Sequence, residues 1–327
     1  MNKKRSFETL EVLNRKAADN AFTLEDLDWS RPIDRGRYWS PEEIAPLYYL
    51  PSYASFLPEE KLRYNQLFAM GVCEQFIWLE EHILVNTLNK VLEKQDAPPP
   101  LRRALEFFIE EEIKHTRMFR RVLERCEPKW YAGPGPRPFR LFNISSWQQF
   151  LLDSVLRNPR TFLVWVWTAI FFEERTVDYC RHYLKANKAD PSRLDPTFVM
   201  LHEYHFKDEL RHYQLDQHLL TWIYDPQPGW KKALGARMFR ALMRGYVNPR
   251  RTALRILEVM GREFPRLNAE VIPRLKVELK DIGRSIEFHR MAFSREAVPK
   301  TMDLFAEYPE LDPLWKLFLA ETKEGSR

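Results

Sequence analysis

The sequence predicts an all-α helix bundle, on three observations. Glycine supplies only 10 of 327 residues, against a usual share of roughly 7%, which argues against the many turns of a sandwich or barrel. No stretch shows a convincing strand alternation. Apolar residues recur instead at helical spacing over long segments, and those segments are separated by Pro, Asn-Pro and Asp-Pro breaks.

Residues 1–58 read as an arm that packs on a helical body; Pro and aromatics recur there (Trp29, Pro32, Tyr38, Trp39, Pro41), with a short helical signal at Glu8–Ala18. Residues 59–327 read as a single helical domain, with a core bundle over about 60–225 and additional helices over 230–327. The first long helix spans Glu60–Gln95 and stops at Asp96-Ala97-Pro98-Pro99-Pro100. A second covers Leu101–Glu124, followed by a Pro/Gly loop over Lys129–Arg140. Ser145–Leu156 is short and ends at Asn158-Pro159; Thr161–Ala186 is the third long helix and strongly apolar. Asp190–Asp195 turns the chain into a fourth helix, Pro196–Tyr224, which ends at Asp225-Pro226-Gln227-Pro228-Gly229. Three or four more helices complete the chain, with breaks near Asn248-Pro249 and Phe264-Pro265.

Composition narrows the function. Hydrophobic residues at 45% and aromatics at 14% allow a large buried core. The net charge of +5 is mild and both signs are interspersed, so no nucleic-acid partner is expected. Cys73, Cys126 and Cys180 cannot build a disulfide framework or a four-cysteine zinc site, and they fit a reducing compartment. The first residues carry no apolar leader, so a cytoplasmic location is expected. The longest apolar run, near Thr161–Phe172, is shorter than the roughly 20 residues of a membrane span, so no transmembrane segment is expected. No GxGxxG or GxxxxGK[ST] phosphate loop is present.

Two Glu-x-x-His pairs carry the chemistry. Glu112 and His115 lie on the second long helix, Glu209 and His212 on the fourth. Three-residue spacing puts both members of a pair on one helix face. A dinuclear carboxylate bundle takes one such pair from each of two helices and one Glu from each of the other two. The first helix offers Glu74, Glu80 and Glu81, and the third offers Glu173 and Glu174. Height selects Glu80 or Glu81. Both lie about as far before the Ala97 turn as Glu112 and His115 lie after it, whereas Glu74 sits about two turns away. Face selects within the doublets. Glu173 falls in the apolar stripe of Val166, Ile170, Val177 and Leu184, while Glu174 falls toward Asp178 and Arg181. Glu80 is more nearly opposite the polar stripe of Gln75, His82, Asn86 and Asn89 than Glu81 is. Glu80 and Glu173 are therefore chosen, with Glu81 and Glu174 as the alternatives. An acid in an apolar stripe is costly unless it is paired or binds a metal.

His205 shares a stripe with Glu209 and His212. It is either a further nitrogen donor or a group that hydrogen-bonds the ligands. His202, one turn further on, reads as a supporting or packing residue. Carboxylates and imidazoles without thiolate suit iron, with manganese as the other candidate. Cys73 and Cys180 read as core residues.

The order Glu80, Glu112-x-x-His115, Glu173, His205-x-x-x-Glu209-x-x-His212 resembles the p-aminobenzoate N-oxygenase (AurF-like) family of ferritin-like di-iron oxygenases. His205, ahead of the second Glu-x-x-His pair, is the narrower mark. The resemblance covers about residues 60–225. It implies seven metal ligands: Glu80, Glu112, His115, Glu173, His205, Glu209 and His212. Glu112 and Glu209 are the bridges, His115 and His212 each serve one iron, and His205 adds donation to the second. It also implies a non-haem di-iron oxygenase in which a diferrous pair activates O2 to oxidise a small organic substrate, above all the nitrogen of an amine or aryl amine. The chain carries no flavin, nicotinamide or iron–sulfur motif, so an external donor is expected: a ferredoxin or reductase, or peroxide. A homodimer is compatible with this reading. Trp165, Trp167, Phe171, Phe172 and Tyr204 are candidate pocket residues or core. Rival readings are a di-iron hydroxylase or desaturase of a lipid-like substrate, and a non-enzymatic iron-binding ferritin-like protein.

Overall fold

A computed structural model describes residues 8–133, 139–144 and 146–319. Helix α1 (Leu10–Asp19) leads into 3-10 turns at Leu24–Asp26, Glu42–Ile44, Pro46–Tyr49 and Pro51–Ser55. Helix α2 (Pro58–Ile77) passes without a break through a π-helical stretch, Trp78–Val85, into α3 (Asn86–Leu92). Then come α4 (Pro99–Cys126), α5 (Pro128–Tyr131), α6 (Ser146–Leu156), α7 (Val164–Ala189) and α8 (Pro196–Leu219), the last extended by a π turn at Leu220–Tyr224. The C-terminal part holds α9 (Gly229–Tyr246), α10 (Arg250–Glu263), α11 (Pro265–Glu270), α12 (Ile272–Glu278), α13 (Ile286–Phe293) and α14 (Pro299–Glu307). Among the described residues there is no strand, only an isolated bridge between Tyr38 and Leu194. None of their helices is long and apolar enough to cross a membrane.

The chain is all-α, as its composition and periodicity predict. The helix expected over Glu60–Gln95 is one rod in space but three windings. The loop expected over Lys129–Arg140 begins with a helical turn, α5, because Pro128 sits at its first position. Residues 134–138 of that loop, and Ser145 at the expected start of the next helix, lie outside the described residues. The region after 230 holds more helices than the three or four expected. The additional short ones are started by local devices too brief to show a period: Pro273 at the start of α12, the Ser285 hydroxyl accepting from Phe288 N (3.2 Å), and Pro299 opening α14.

The four long rods enclose the centre of the molecule. Helices α7 and α8 form an antiparallel pair, the α2–α3 rod packs on α4, and α4 packs on α8. Outer helices close the bundle: α1 covers α4 and α8, α9 and α14 cover α7, and α10 covers α2. Helix α9 comes close because Gly235 has no side chain; a Cβ there would sit 3.2 Å from the Leu163 Cβ. One hydrophobic cluster runs through the whole, with side chains from Leu13 to Phe318.

Buried carboxylates tie the connections to the rods. Asp195 caps α8 by accepting from Thr197 N (2.8 Å) and Phe198 N (3.2 Å), and it also accepts Asp34 N (2.7 Å) from the N-terminal segment. Trp39 stacks on Phe198 at 5.1 Å just above. Glu74 accepts from Tyr131 Oη (2.7 Å) and from the backbone N–H groups of Arg140 (2.6 Å), Leu141 (2.8 Å) and Phe142 (2.6 Å). Glu74 is therefore an anchor for the 139–142 segment, removed from the height of the Glu-x-x-His pairs. Glu74→Ala leaves those buried donors without an acceptor. It is expected to cost about 3 kcal/mol or more, measured by urea unfolding, and a loss well under 1 kcal/mol would show that water or another group replaces the carboxylate.

Candidate metal centre

Helices α4 and α8 each bring a Glu-x-x-His pair to the middle of the bundle. The α2–α3 rod brings Glu80 and α7 brings Glu173. These seven side chains fall into two groups of donor atoms, and among the described residues a third group joins His205 to Cys180 and His202. Glu80, His115 and His205 converge in the first, and Glu112, Glu173, Glu209 and His212 in the second. All seven side chains are buried, none above 3% exposed.

The imidazole nitrogens set the direction of the site. His212 Nδ1 lies 3.0 Å from Glu112, 3.3 Å from Glu173 and 3.5 Å from Glu209. His115 Nδ1 lies 3.6 Å from Glu112 and 3.5 Å from Glu209. Glu112 and Glu209 thus face both histidines. His205 Nε2 lies 2.7 Å from Glu209 and 3.5 Å from Glu80. His205 therefore belongs with His115 and Glu80. Its Nε2 lies on the side of Glu80 and His115, not on that of His212, because α8 turns it toward the α2–α3 rod.

These atoms crowd together without satisfying one another. Both oxygens of Glu112, Oε2 of Glu80, Glu173 and Glu209, Nδ1 of His115 and His212, and both nitrogens of His205 make no well-aligned hydrogen bond despite full burial and close approach. Native interiors rarely leave such groups unpaired. Spacings of 3.0–3.6 Å are those of ligand atoms placed around a shared ion at roughly 2 Å. The donor set therefore fits cations.

The opposite face of each imidazole is held by a carboxylate from the other helix. His115 Nε2 donates to Asp208 of α8 (3.0 Å), and His212 Nε2 donates to Glu111 of α4 (2.8 Å). Each carboxylate fixes the ring with Nε2 protonated, so the Nδ1 lone pair points inward. Arg211 joins the two carboxylates, bonding Glu111 and, at 2.8 Å, Asp208; Lys114 lies 2.8 Å from Asp208. Glu111, Asp208 and Arg211 are functional residues that sequence reasoning missed. A signal was present: an acid stands immediately before the Glu of each Glu-x-x-His pair.

The doublets resolve by partner. Glu81 is partly exposed and pairs with Arg120 on α4. Glu174 is buried, contrary to the polar face expected for it, and accepts the N–H groups of Lys300 (3.1 Å) and Thr301 (2.6 Å) at the start of α14. The π winding of Trp78–Val85 shifts side chains off the α-helical wheel, which is why Glu80 and Glu81 are hard to separate from the sequence.

The candidate pocket aromatics lie elsewhere. Trp167 packs against Tyr224, Phe305 and Tyr308, and Phe171 against Phe239, Tyr246 and Phe293. Phe172 packs on Tyr246 (4.7 Å), and Trp165 Nε1 donates to Pro159 O (2.8 Å). Tyr204 reaches the surface and donates to Asp26 O (3.1 Å). The rings that do touch the centre are Phe108, stacked on His212 at 4.0 Å, and Phe76 and Phe119, edge-on to His205 at 5.2 and 5.0 Å. Behind His205, Cys180 Sγ lies 3.8 Å from His202 Nδ1, among Tyr179 and Tyr183. Burial holds the His202 pKa well below its usual range, so this ring is neutral.

The family model for p-aminobenzoate N-oxygenase AurF matches residues 3–263. The chain belongs to this family. Comparison with curated proteins gives no match. As an AurF-family protein the chain is an oxygen-dependent di-iron oxidoreductase, and the buried Glu and His groups are where its metal can be held.

Burial alone would lower the pKa of each site imidazole, but the surrounding carboxylates outweigh it and raise His115, His205 and His212. Burial, with Glu209 close by, also raises Glu173. Protons on these groups compete with cations. Metal uptake at pH 7 is accordingly expected to release protons, and affinity to fall steadily as the pH is lowered from there. Calorimetry in buffers of different ionisation heat reads this directly; buffer-independent heats would contradict it. Asp208→Asn and Glu111→Gln are each expected to weaken metal binding roughly 10–100-fold in a chelator competition while helicity is kept.

Proposed function

We propose that Glu80, His115 and His205 hold one iron, that Glu173 and His212 hold the other, and that Glu112 and Glu209 lie between them. The observation that carries this reading is charge. Glu80, Glu112, Glu173 and Glu209 are buried together, and as carboxylates they balance two divalent cations. The outer carboxylates Glu111 and Asp208 are already balanced by Arg211 and Lys114. Two divalent ions therefore make the whole assembly neutral, which a buried site requires. The donor set accommodates iron and manganese; family membership favours iron.

The reaction that best fits is oxidation of a small organic amine, in particular an aryl amine, at nitrogen. When bound, the diferrous pair supplies the redox chemistry that turns O2 into an oxidant. The chain's own residues do the rest. Asp208 and Glu111 keep both Nδ1 lone pairs aimed inward. Glu112 and Glu209 face both histidines and can adjust their carboxylate contacts as the metal charge changes. Phe76, Phe108 and Phe119 keep water from the inner side of the imidazoles. Reducing equivalents come from an external donor, either a small iron–sulfur carrier with its reductase or peroxide. The reducing cytoplasm suits three buried, free cysteines.

Anaerobic Fe(II) loading is expected to give about two irons per chain. A single zinc, or no metal, would reject the site. Glu112→Ala and His212→Ala are expected to abolish O2 consumption by the loaded protein with unchanged far-ultraviolet circular dichroism. Glu81→Ala is expected to retain both irons. Full turnover in the first two variants would show that other residues hold the metal.

A further inference from the structure

Charges of both signs are interspersed along most of the chain, and α9 is the exception. It holds Lys231, Lys232, Arg237, Arg240 and Arg244 and no acid. Its charge alone equals the +5 of the whole chain. The other helices that cover the rods, α1, α10 and α14, each carry acids as well as cations. The single sign reaches past the helix, because no Asp or Glu occurs between Asp225 and Glu258. Lys231 and Lys232 stand in the first turn of α9, the end at which a helix dipole disfavours cations. Helix stability therefore does not account for them.

The cations are presented outward. At about 100° per residue Trp230, Arg237, Ala241 and Arg244 fall within roughly 60° of arc, and all four are exposed. The stripe is about 20 Å long. Arg237, Arg240 and Arg244 form no ion pair among the described residues. Glu310, beside the first turn, already accepts from Tyr224 Oη (2.7 Å), and Lys232 lies over that ring at 5.6 Å. Trp230 is 62% exposed, the most of any large apolar side chain among the described residues. Trp and Arg are the residue types that most often carry the energy of a protein interface.

Helix α9 also lies close to the centre. It packs on α7, the rod that carries Glu173. Phe239 of α9 stands beside Phe171 (6.4 Å) and Tyr246 beside Phe172 (4.7 Å), and these two α7 rings immediately precede Glu173. One helix thickness, about 10 Å, thus separates the cationic stripe from a rod that feeds the centre.

We infer that the outer face of α9 is the docking surface for an acidic electron-carrier protein of the iron–sulfur class, with Trp230 as its apolar anchor and Arg237 and Arg244 as its charge contacts. The inference rests on the di-iron reading above and gives its external donor a place on the chain. In each encounter one electron leaves the reduced cluster of the carrier. Two reduced carriers are oxidised for each metal pair taken from two Fe(III) to two Fe(II). A stripe of this length suits the small contacts of electron-transfer partners, under about 1,200 Å². A membrane surface fits less well. An interfacial helix buries a broad apolar face, whereas Trp230 is the only large apolar side chain exposed on α9.

The test uses a plant-type ferredoxin, an acidic protein, as the probe on the iron-loaded full-length chain. Iron content is measured first. Calorimetry is expected to show binding whose Kd rises about tenfold or more between about 20 and about 200 mM NaCl. At low salt, Arg237→Glu/Arg244→Glu and Trp230→Ala are each expected to weaken binding about tenfold or more. Arg15→Glu/Lys16→Glu, an equal charge change on α1, is expected to stay within about threefold of the parent. Reduction of the oxidised iron by reduced ferredoxin, followed anaerobically, is expected to slow in step with binding, while reduction by the methyl viologen radical does not slow. Circular dichroism checks the fold; should the reversed pair not fold, Arg237→Ala/Arg244→Ala is expected to weaken binding in the same direction. Ferredoxin that does not bind the parent, or that binds all the variants alike, overturns the inference and leaves the di-iron reading standing. Parent protein that sediments with phosphatidylserine vesicles and binds no ferredoxin, when Arg237→Glu/Arg244→Glu does not sediment, assigns the face to a membrane and overturns it too. Parent protein that takes up no metal overturns the di-iron reading, and the carrier's role with it.

Discussion

Four glutamates buried side by side dominate the energetics of this fold. In water, Glu80, Glu112, Glu173 and Glu209 would each be solvated. Here each sits on a long rod whose inner face is otherwise apolar, and their mutual repulsion acts in a medium of low polarity. Protons relieve part of it, since burial pushes Glu80 up to about 7 and holds Glu173 well above the usual carboxylate range. The imidazoles relieve another part. They hold Glu112 and Glu209 below the usual carboxylate range even though burial opposes this. Cations do both tasks at once. The bundle is thus arranged around a charge that the chain does not itself supply, and the same arrangement gives that charge a dry, oxygen-rich setting.

The second constraint is reciprocal. Helix α4 supplies the acid that holds the histidine of α8, and α8 supplies the acid that holds the histidine of α4. Arg211 spans both acids. The two helices are locked in register by this crossed pair more firmly than apolar side chains alone would manage, because a one-residue slide would part both bonds together. Packing and chemistry are therefore not separable here. The contact that sets helix register also sets which nitrogen lone pair is exposed to the centre.

Much of this was legible in the sequence. The two Glu-x-x-His pairs, the long helical periods and the Pro-rich breaks identify the bundle and two of the rods that feed its centre. Height along an antiparallel pair points to Glu80 or Glu81, and the apolar stripe of α7 points to Glu173. What stayed hidden depends on contacts between rods. Glu111 and Asp208 receive no role from the sequence, since each acts through a partner histidine across the bundle. Glu174 belongs, by pattern alone, to a polar face because its partner, the start of α14, is more than a hundred residues away. The aromatic residues around the imidazoles, Phe76, Phe108 and Phe119, do not differ in pattern from other core rings.

The π winding of Trp78–Val85 accommodates more backbone per turn than the α-helix on either side. Upstream and downstream halves of the rod are consequently out of phase with a single regular helix. Removing one residue from this stretch would restore an even spiral and leave the two flanking halves close to their present relative orientation, because the wider turn absorbs the extra residue. Glu74, with its loop anchor, and Thr87, at the far end, would keep their present orientation, and the residues between them, Glu80 included, would change theirs. Chains of the same architecture with a regular first rod should accordingly align to this one with a gap inside that stretch, and the gap would mark where the carboxylate of that rod changes its angle of approach.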